Sequence, residues 1–106
     1  MVQSWAEVLI KLLPTDKGGR QAPLDLCNDR PGQYRAHLRV VGRSEQMLAV
    51  AFMDGPDAPI VPGGQTYATV KFLDEPGGLY EDLVEGTKFE LLEGSQVVGT
   101  GRVTRR

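Results

Sequence analysis

The sequence predicts an all-β protein, a six-stranded β-barrel that forms one domain over residues 1–106. Three observations favour this fold class. Short segments alternate apolar and polar residues with the period of a strand, thirteen glycines and seven prolines separate these segments, and the length suits a single core without metals or disulfides. Six strands with short turns are about the minimum for a small closed or nearly closed barrel, which also removes exposed edges.

Strict alternation predicts the first two strands. The first spans residues 4–13 and stops at Pro14, and the second spans residues 34–41. Between them lies a long irregular crossing rich in glycine, proline, asparagine and aspartate, which are turn residues. The alternating apolar positions are Ala6, Val8, Ile10 and Leu12 in the first strand and Tyr34, Ala36, Leu38 and Val40 in the second.

Four more strands complete the predicted barrel. The third, within residues 46–53, is apolar on both faces, which fits a strand covered on both sides or a buried helical turn. The others are predicted over residues 65–73, 87–92 and 96–104, and residues 79–85 fit either a single helical turn or an acidic loop. Two glycines of the last strand share a face, which indicates a bend or the close approach of another strand. They are Gly99 and Gly101.

Charge is distributed unevenly along the chain. The net charge of -2 gives no overall attraction to nucleic acid or acidic membranes. Residues 30–43 nevertheless contain four arginines and no carboxylate, whereas residues 74–93 contain seven carboxylates and one lysine. The sequence therefore predicts a basic strand and an acidic flank in one domain.

The basic strand supplies the candidate binding site. Arg35, His37 and Arg39 stand at alternate positions, roughly 6.6 to 6.8 Å apart, and Arg30 precedes them. Arginine forks bind phosphates bidentately and histidine adds charge or stacks on a base, so this face fits nucleic acid or another partner. The alternative is a solvated face whose arginines pair with carboxylates such as Glu90 on neighbouring strands.

Two other groups of residues have two interpretations each. Four aromatic side chains near strand ends or turns fit end plugs of a small barrel better than base-stacking platforms. They are Trp5, Tyr34, Tyr67 and Tyr80. Three arginines near the C-terminus either extend the basic surface or form a solubilising tail. They are Arg102, Arg105 and Arg106.

The residue types predict a protein without catalytic activity, metal or cofactor. His37 is the only histidine and Cys27 the only cysteine, so one chain cannot assemble a zinc site from the usual ligands. No serine lies in a nucleophile-elbow sequence, and Cys27 is expected to pack in the crossing rather than to act with His37 in catalysis. The close carboxylate pairs lie in turn-rich sequence, where we expect them to be solvated.

Cysteine usage and the first residues predict the compartment. A single cysteine permits no intrachain disulfide, which favours a reducing environment. The N-terminal residues lack the basic region and apolar run of a signal peptide, and no stretch is long and apolar enough to span a membrane. We therefore expect a cytoplasmic protein without membrane association.

Short motifs in a fixed order run along nearly the whole chain. They begin with Ala6-Glu7-Val8, Gly18-Gly19-Arg20 and Pro23, and continue with Arg30-Pro31, Tyr34 and Gly42. They end with Pro62-Gly63, Phe89, Glu93-Gly94, Val98-Gly99 and Gly101. In order and spacing these residues resemble the third, C-terminal domain of translation elongation factor Tu.

The resemblance implies a six-stranded antiparallel β-barrel. In that family the third domain works beside a GTP-binding domain and a second barrel, and it contacts the T-stem of aminoacyl-tRNA, the nucleotide-exchange factor and the GTPase domain. This chain has no Gly-x-x-x-x-Gly-Lys-Ser/Thr motif, so no nucleotide is expected. Three tRNA-facing positions differ, because Gln21, Gly32 and Val41 stand where the family has histidine, glutamine and threonine.

These observations lead to the hypothesis of a non-catalytic, stand-alone binding module that acts through protein contacts. One alternative is an RNA- or tRNA-binding accessory of translation that uses the basic strand. Another is a mimic that competes for the partners of elongation factor Tu. Fold alone does not decide among these functions.

Overall fold

The computed structural model describes residues 5–26, 34–42, 46–73 and 80–106. The elements are β1 (Trp5–Leu12), a 3-10 helix (Thr15–Lys17), β2 (Arg35–Val40), β3 (Leu48–Asp54), β4 (Gln65–Phe72), β5 (Lys88–Glu93) and β6 (Gln96–Arg105). Each strand begins and ends within two residues of its predicted bounds. For residues 79–85 the sequence is compatible with a single helical turn or an acidic loop. The described part of this segment, residues 80–85, contains turns and no helix.

The strands form a closed barrel in the order β1-β4-β3-β2-β5-β6. Every neighbouring pair is antiparallel, which confirms the predicted fold class. β1 pairs with β4 on one side and with β6 on the other, so the first and last strands close the sheet. Closure leaves no sheet edge open for pairing with another chain.

Alternation along the strands fills the barrel with apolar side chains. The four alternating positions of β1 are completely buried, and β4 adds Ala68, Val70 and Phe72 to the same core. Within the described ranges, no polar or charged residue is buried. Polar chemistry in this part of the chain therefore lies on the outer surface and at the ends of the barrel.

The crossing after β1 covers one end of the barrel. Leu24 and Ile60 form an isolated antiparallel bridge in which both N···O distances are 2.8 Å, and both side chains are buried. Leu26 is buried in the same cluster. The bridge ties the crossing to the loop before β4. The prediction that Cys27 packs here concerns a residue outside the described ranges.

Tyr80 and Arg106 close the opposite end, beside the last residue of β4. The Tyr80 ring stacks on Phe72 with centroids 4.3 Å apart, and its hydroxyl donates to the Ala49 carbonyl at 2.7 Å. The Arg106 guanidinium lies 4.7 Å from the Phe72 centroid, and Nη1 donates to the carbonyls of Tyr80 and Leu83 at 2.6 and 2.9 Å. Tyr80 is thus an end plug, as predicted, whereas Arg106 is a structural clamp instead of a tail residue.

A β-bulge in the β5–β6 hairpin buries two consecutive leucines, although strict alternation would leave one of them exposed. Leu92 is 1% exposed although its neighbour Leu91 is also buried. Leu91 pairs with Gly99 and Leu92 with Val97, so Val98 is the extra residue of the bulge. A bulge redirects the side chains around it, and a period-2 pattern alone does not reveal one.

Close packing around β6 depends on Gly101. A Cβ atom at this position would lie 2.5 Å from the carbonyl oxygen of Leu9 and 2.7 Å from Cζ of Phe89. Real side chains do not approach so closely, so glycine is required unless a neighbour moves. The expected close approach at this glycine is therefore confirmed.

We expect Gly101→Ala to lower the free energy of unfolding by about 1–3 kcal/mol, because the β1 backbone or the Phe89 ring has to move. Urea denaturation of both proteins measures the change. Thr100→Ala, at the exposed neighbouring position, is the control and is expected to destabilise less. Equal midpoints for Gly101→Ala and the wild type would contradict the close packing.

Candidate functional site

The basic face predicted on β2 is already partly neutralised. Arg35 is exposed, and His37 and Arg39 are half-buried on the outer side. Nε and Nη2 of Arg39 both donate to Oε1 of Glu90 at 2.9 Å, across the β2–β5 pairing. Pairing with a neighbouring carboxylate, one of the two interpretations of the sequence, therefore holds for Arg39. Arg30 lies outside the described ranges.

Arg35 belongs to a row of paired positions that crosses four strands, in which Ala51 is buried and the other three residues are exposed. Arg35 pairs with Ala51 in β3, and Ala51 pairs with Lys71 in β4. Lys71 in turn pairs with Trp5 in β1. We call these four residues the outer row. Trp5 is 37% exposed, so the expectation that it plugs the barrel is wrong, and the row combines an aromatic side chain with two cations.

A shallow hollow of about 400 Å³ lies on the outside of the barrel where β1, β6 and β5 meet. Its apolar lining includes Leu9, Val41 and Phe89. The cations around it are Lys11, Lys88 and Arg102. We call this surface the cationic hollow. Its volume lies at the lower end of the range of about 300–1,000 Å³ that is typical of binding pockets.

The cations of the hollow are arranged unfavourably for the free protein. Lys88 lies directly opposite Arg102 in the β5–β6 pair, and Lys11 is diagonal to Arg102 because it pairs with Thr100. Within the described part of the chain, none of the three forms an ion pair. Like charges in directly opposite positions destabilise a sheet. An anionic group bound in the hollow would relieve this repulsion.

Sequence reasoning missed the hollow because its cations come from three strands. Lys11, Lys88 and Arg102 lie on β1, β5 and β6. Alternation assigns each residue to a face of its own strand, and only the register between the strands of the closed barrel shows that the three are neighbours. Tyr67 extends the same surface, since it pairs with Leu9 and is 65% exposed. The expectation that Tyr67 plugs the barrel is therefore wrong.

Several residues of the motifs that resemble elongation factor Tu meet in one cluster. Arg20 forms an ion pair with Oε2 of Glu93, and the Tyr34 hydroxyl donates to the same oxygen at 2.6 Å. The Arg20 guanidinium lies 6.0 Å from the Tyr34 ring centroid, and Nε2 of Gln96 donates to the Gly18 carbonyl at 2.8 Å. We call Arg20, Tyr34 and Glu93 the clasp. It ties the crossing after β1 to the start of β2 and to the β5–β6 turn.

The contacts of the clasp indicate a structural role. Burial raises the pKa of the Tyr34 phenol above its ordinary range, and the hydrogen bond to Glu93 raises it further. The Tyr34 ring also packs 5.3 Å from the Phe52 centroid, as expected for an end plug. Because Arg20 and Glu93 bind each other and Tyr34 stays neutral, the cluster holds loops in place and its charges are mutually satisfied.

Comparison with known proteins adds no family assignment. No protein-family model matches this chain. The resemblance to the third domain of elongation factor Tu therefore rests on the sequence motifs and stays a prediction. Among the described residues, no three His, Cys, Asp or Glu side chains lie close enough to hold a metal ion. The same residues contain no helix with the length and apolar character needed to cross a membrane.

We expect Tyr34 to stay protonated at pH values where ordinary tyrosines ionise, around pH 10. A raised pKa means that the folded state holds the phenol proton more tightly than the unfolded state. The resulting stabilisation is present below about pH 10 and is lost as the pH rises further. Ultraviolet absorbance measures tyrosinate in native wild type and in Tyr34→Phe.

The titration curves of native wild type and native Tyr34→Phe are expected to coincide until the wild type unfolds. The reason is that the Tyr34 phenol, which only the wild type has, forms no tyrosinate in that range. An additional tyrosinate in the native wild type near pH 10 would contradict the buried, hydrogen-bonded state of Tyr34.

Proposed function

We propose that this protein is a non-catalytic binding module, on a barrel resembling the third domain of elongation factor Tu, and that it docks onto a protein partner through the cationic hollow. The observation that carries the proposal is the directly opposed pair of Lys88 and Arg102 beside the exposed Val41. Both features are unfavourable in the isolated protein. A partner that brings carboxylates and an apolar side chain satisfies both.

The lining of the hollow favours a protein over a nucleic acid. Val41 is 61% exposed and Leu9 is half-buried, so an apolar side chain finds aliphatic surface to cover. Within the hollow, the Phe89 ring is almost completely buried and offers no face on which a base stacks, and the exposed Tyr67 ring lies beside the hollow and outside its lining. An apolar centre with a charged rim is typical of protein interfaces.

The family resemblance supports the choice of partners to test first. Val41 lines the hollow and stands where the family has a threonine, so this chain is more apolar at a position that the family uses near tRNA. That difference supports protein contacts over an inherited tRNA role. The GTPase domain and exchange factor that contact the third domain in that family are the first candidates, in a cytoplasmic process connected with translation.

We expect Lys88→Glu with Arg102→Glu to abolish partner capture, because the hollow then repels carboxylates. Cross-linking in cells that encode the protein, followed by mass spectrometry, compares this variant with the wild type. The control carries Lys17→Glu and Arg105→Glu, which change the net charge equally at exposed positions outside the hollow. Partners lost only in the hollow variant support the proposal, and an identical set of partners for all three proteins overturns it.

A second candidate function, RNA binding, is favoured by the outer row. The row sets Lys71 beside the partly exposed Trp5 and places Arg35 two strands from Lys71, roughly 9.6 Å away across the buried Ala51. A cation beside an exposed aromatic ring offers a phosphate contact and a stacking surface to single-stranded RNA.

We expect Arg35→Ala with Lys71→Ala to reduce the slope of log affinity against log salt by about 1.4, because two phosphate contacts are lost. Equilibrium binding to a mixed RNA pool that includes tRNA, at low and physiological salt, measures this change. Arg39→Ala is the control, because Arg39 pairs with Glu90 of β5 and lies outside the outer row. No binding by the wild type even at low salt would remove RNA from the candidates.

A further inference from the structure

The turn before β5 carries a surface complementary to the cationic hollow. Val84 is 53% exposed, and the exposed residues Glu81 and Glu85 lie on either side of it in the chain. We call residues 81–85 the acidic turn. It presents an apolar side chain between carboxylates, whereas the hollow presents an apolar floor between cations.

The acidic turn is held in a fixed conformation. Leu83 is completely buried, and Arg106 donates to its carbonyl at 2.9 Å. Oγ1 of Thr87 donates to the Asp82 carbonyl at 2.7 Å, and the Thr87 amide donates to the Val84 carbonyl at 3.0 Å. A turn that is already ordered loses little conformational entropy when it binds.

The acidic turn and the cationic hollow adjoin each other. The Gly86 amide donates to the Val103 carbonyl at 2.8 Å, and the Val103 amide donates to the Thr87 carbonyl at 2.9 Å. The next pair along these strands is Lys88 and Arg102, in the hollow. One patch therefore contains both the acidic turn and the cationic hollow. Two-fold interfaces use the same self-complementary patch on both subunits, and this patch has two complementary halves.

We propose that the occupant of the cationic hollow is a second copy of this chain, whose acidic turn inserts Val84 into the hollow while the first copy does the same in return. This inference rests on the proposed function, because it names the partner of the same site. In the pair the valine covers the apolar floor, and Glu81 and Glu85 approach the three cations.

The size of the patch sets the expected affinity. An interface of one turn and one hollow on each copy is small, so we expect a dissociation constant on the order of 100 µM at low salt. The carboxylates and cations are solvent-exposed, so salt screens their attraction. Raising sodium chloride from about 50 mM to about 500 mM is expected to weaken the dimer several-fold.

Sedimentation equilibrium at low salt tests the pairing with two charge-reversed variants. The hollow variant carries Lys88→Glu and Arg102→Glu, and the turn variant carries Glu81→Lys and Glu85→Lys. Each variant alone brings like charges together in both contacts of the dimer, so self-association is expected to weaken at least about tenfold. An equimolar mixture restores opposite charges in both contacts and is expected to associate about as strongly as the wild type.

Val84→Ser tests the apolar part of the contact, and it is expected to weaken the wild-type dimer several-fold. Val61→Ser is the matched control, because Val61 is 59% exposed and lies before β4, outside both surfaces. It is expected to leave the association unchanged. Circular dichroism verifies that every variant is folded.

The outcomes separate this inference from the proposed function. A wild type that stays monomeric up to about 1 mM at low salt overturns the second copy as the occupant. A wild-type dimer with no association in the charge-reversed mixture also overturns it, because the interface then lies elsewhere. If either result accompanies loss of cross-linked partners in the hollow variant, the proposed function stands with a different protein as the partner.

Discussion

The pairing of β1 with β6 is the contact on which the rest of this molecule depends. It joins the first strand of the chain to the last, so that Ile10 lies beside Gly101 and Leu12 beside Gly99. Without it the sheet would have two open edges, and β1 would be paired with β4 alone. The same pairing brings Lys11 and Leu9 next to β6 and so creates one wall of the cationic hollow. Closure of the barrel and formation of the candidate site are one structural event.

The strands can be predicted from the sequence because alternation is a local property of each segment. The cationic hollow cannot be predicted in this way, because it depends on the pairing register between strands. The Arg39–Glu90 pair was among the predicted alternatives, since both residues stand on strand faces that one antiparallel pairing joins. The Lys88–Arg102 pair was not. The β5–β6 turn alone would set Lys88 opposite Gly101, and the bulge at Val98 moves the register by one residue. Trp5 and Tyr67 were misjudged for a related reason, because nearness to a strand end does not fix which face a ring occupies.

The motifs that suggested a family describe the scaffold more than the binding surface. Arg20, Tyr34 and Glu93 are satisfied by one another in the clasp, where they fix the path of the crossing. The hollow and the acidic turn instead use mostly residues outside those motifs, and the exceptions are Phe89 and Gly101. A likeness carried by such residues therefore informs the path of the backbone, while the partner that we propose depends on residues such as Lys88, Arg102 and Val84.

Phe89 links the hollow to the barrel interior. Its ring is 1% exposed and belongs to the core cluster, yet it also lines the hollow beneath Gly101. A change in the packing of this ring inside the barrel would therefore change the floor of the hollow as well. In the binding that we propose, a substitution inside the barrel that loosens the ring would thus weaken the affinity at the surface, although the substituted residue touches no partner.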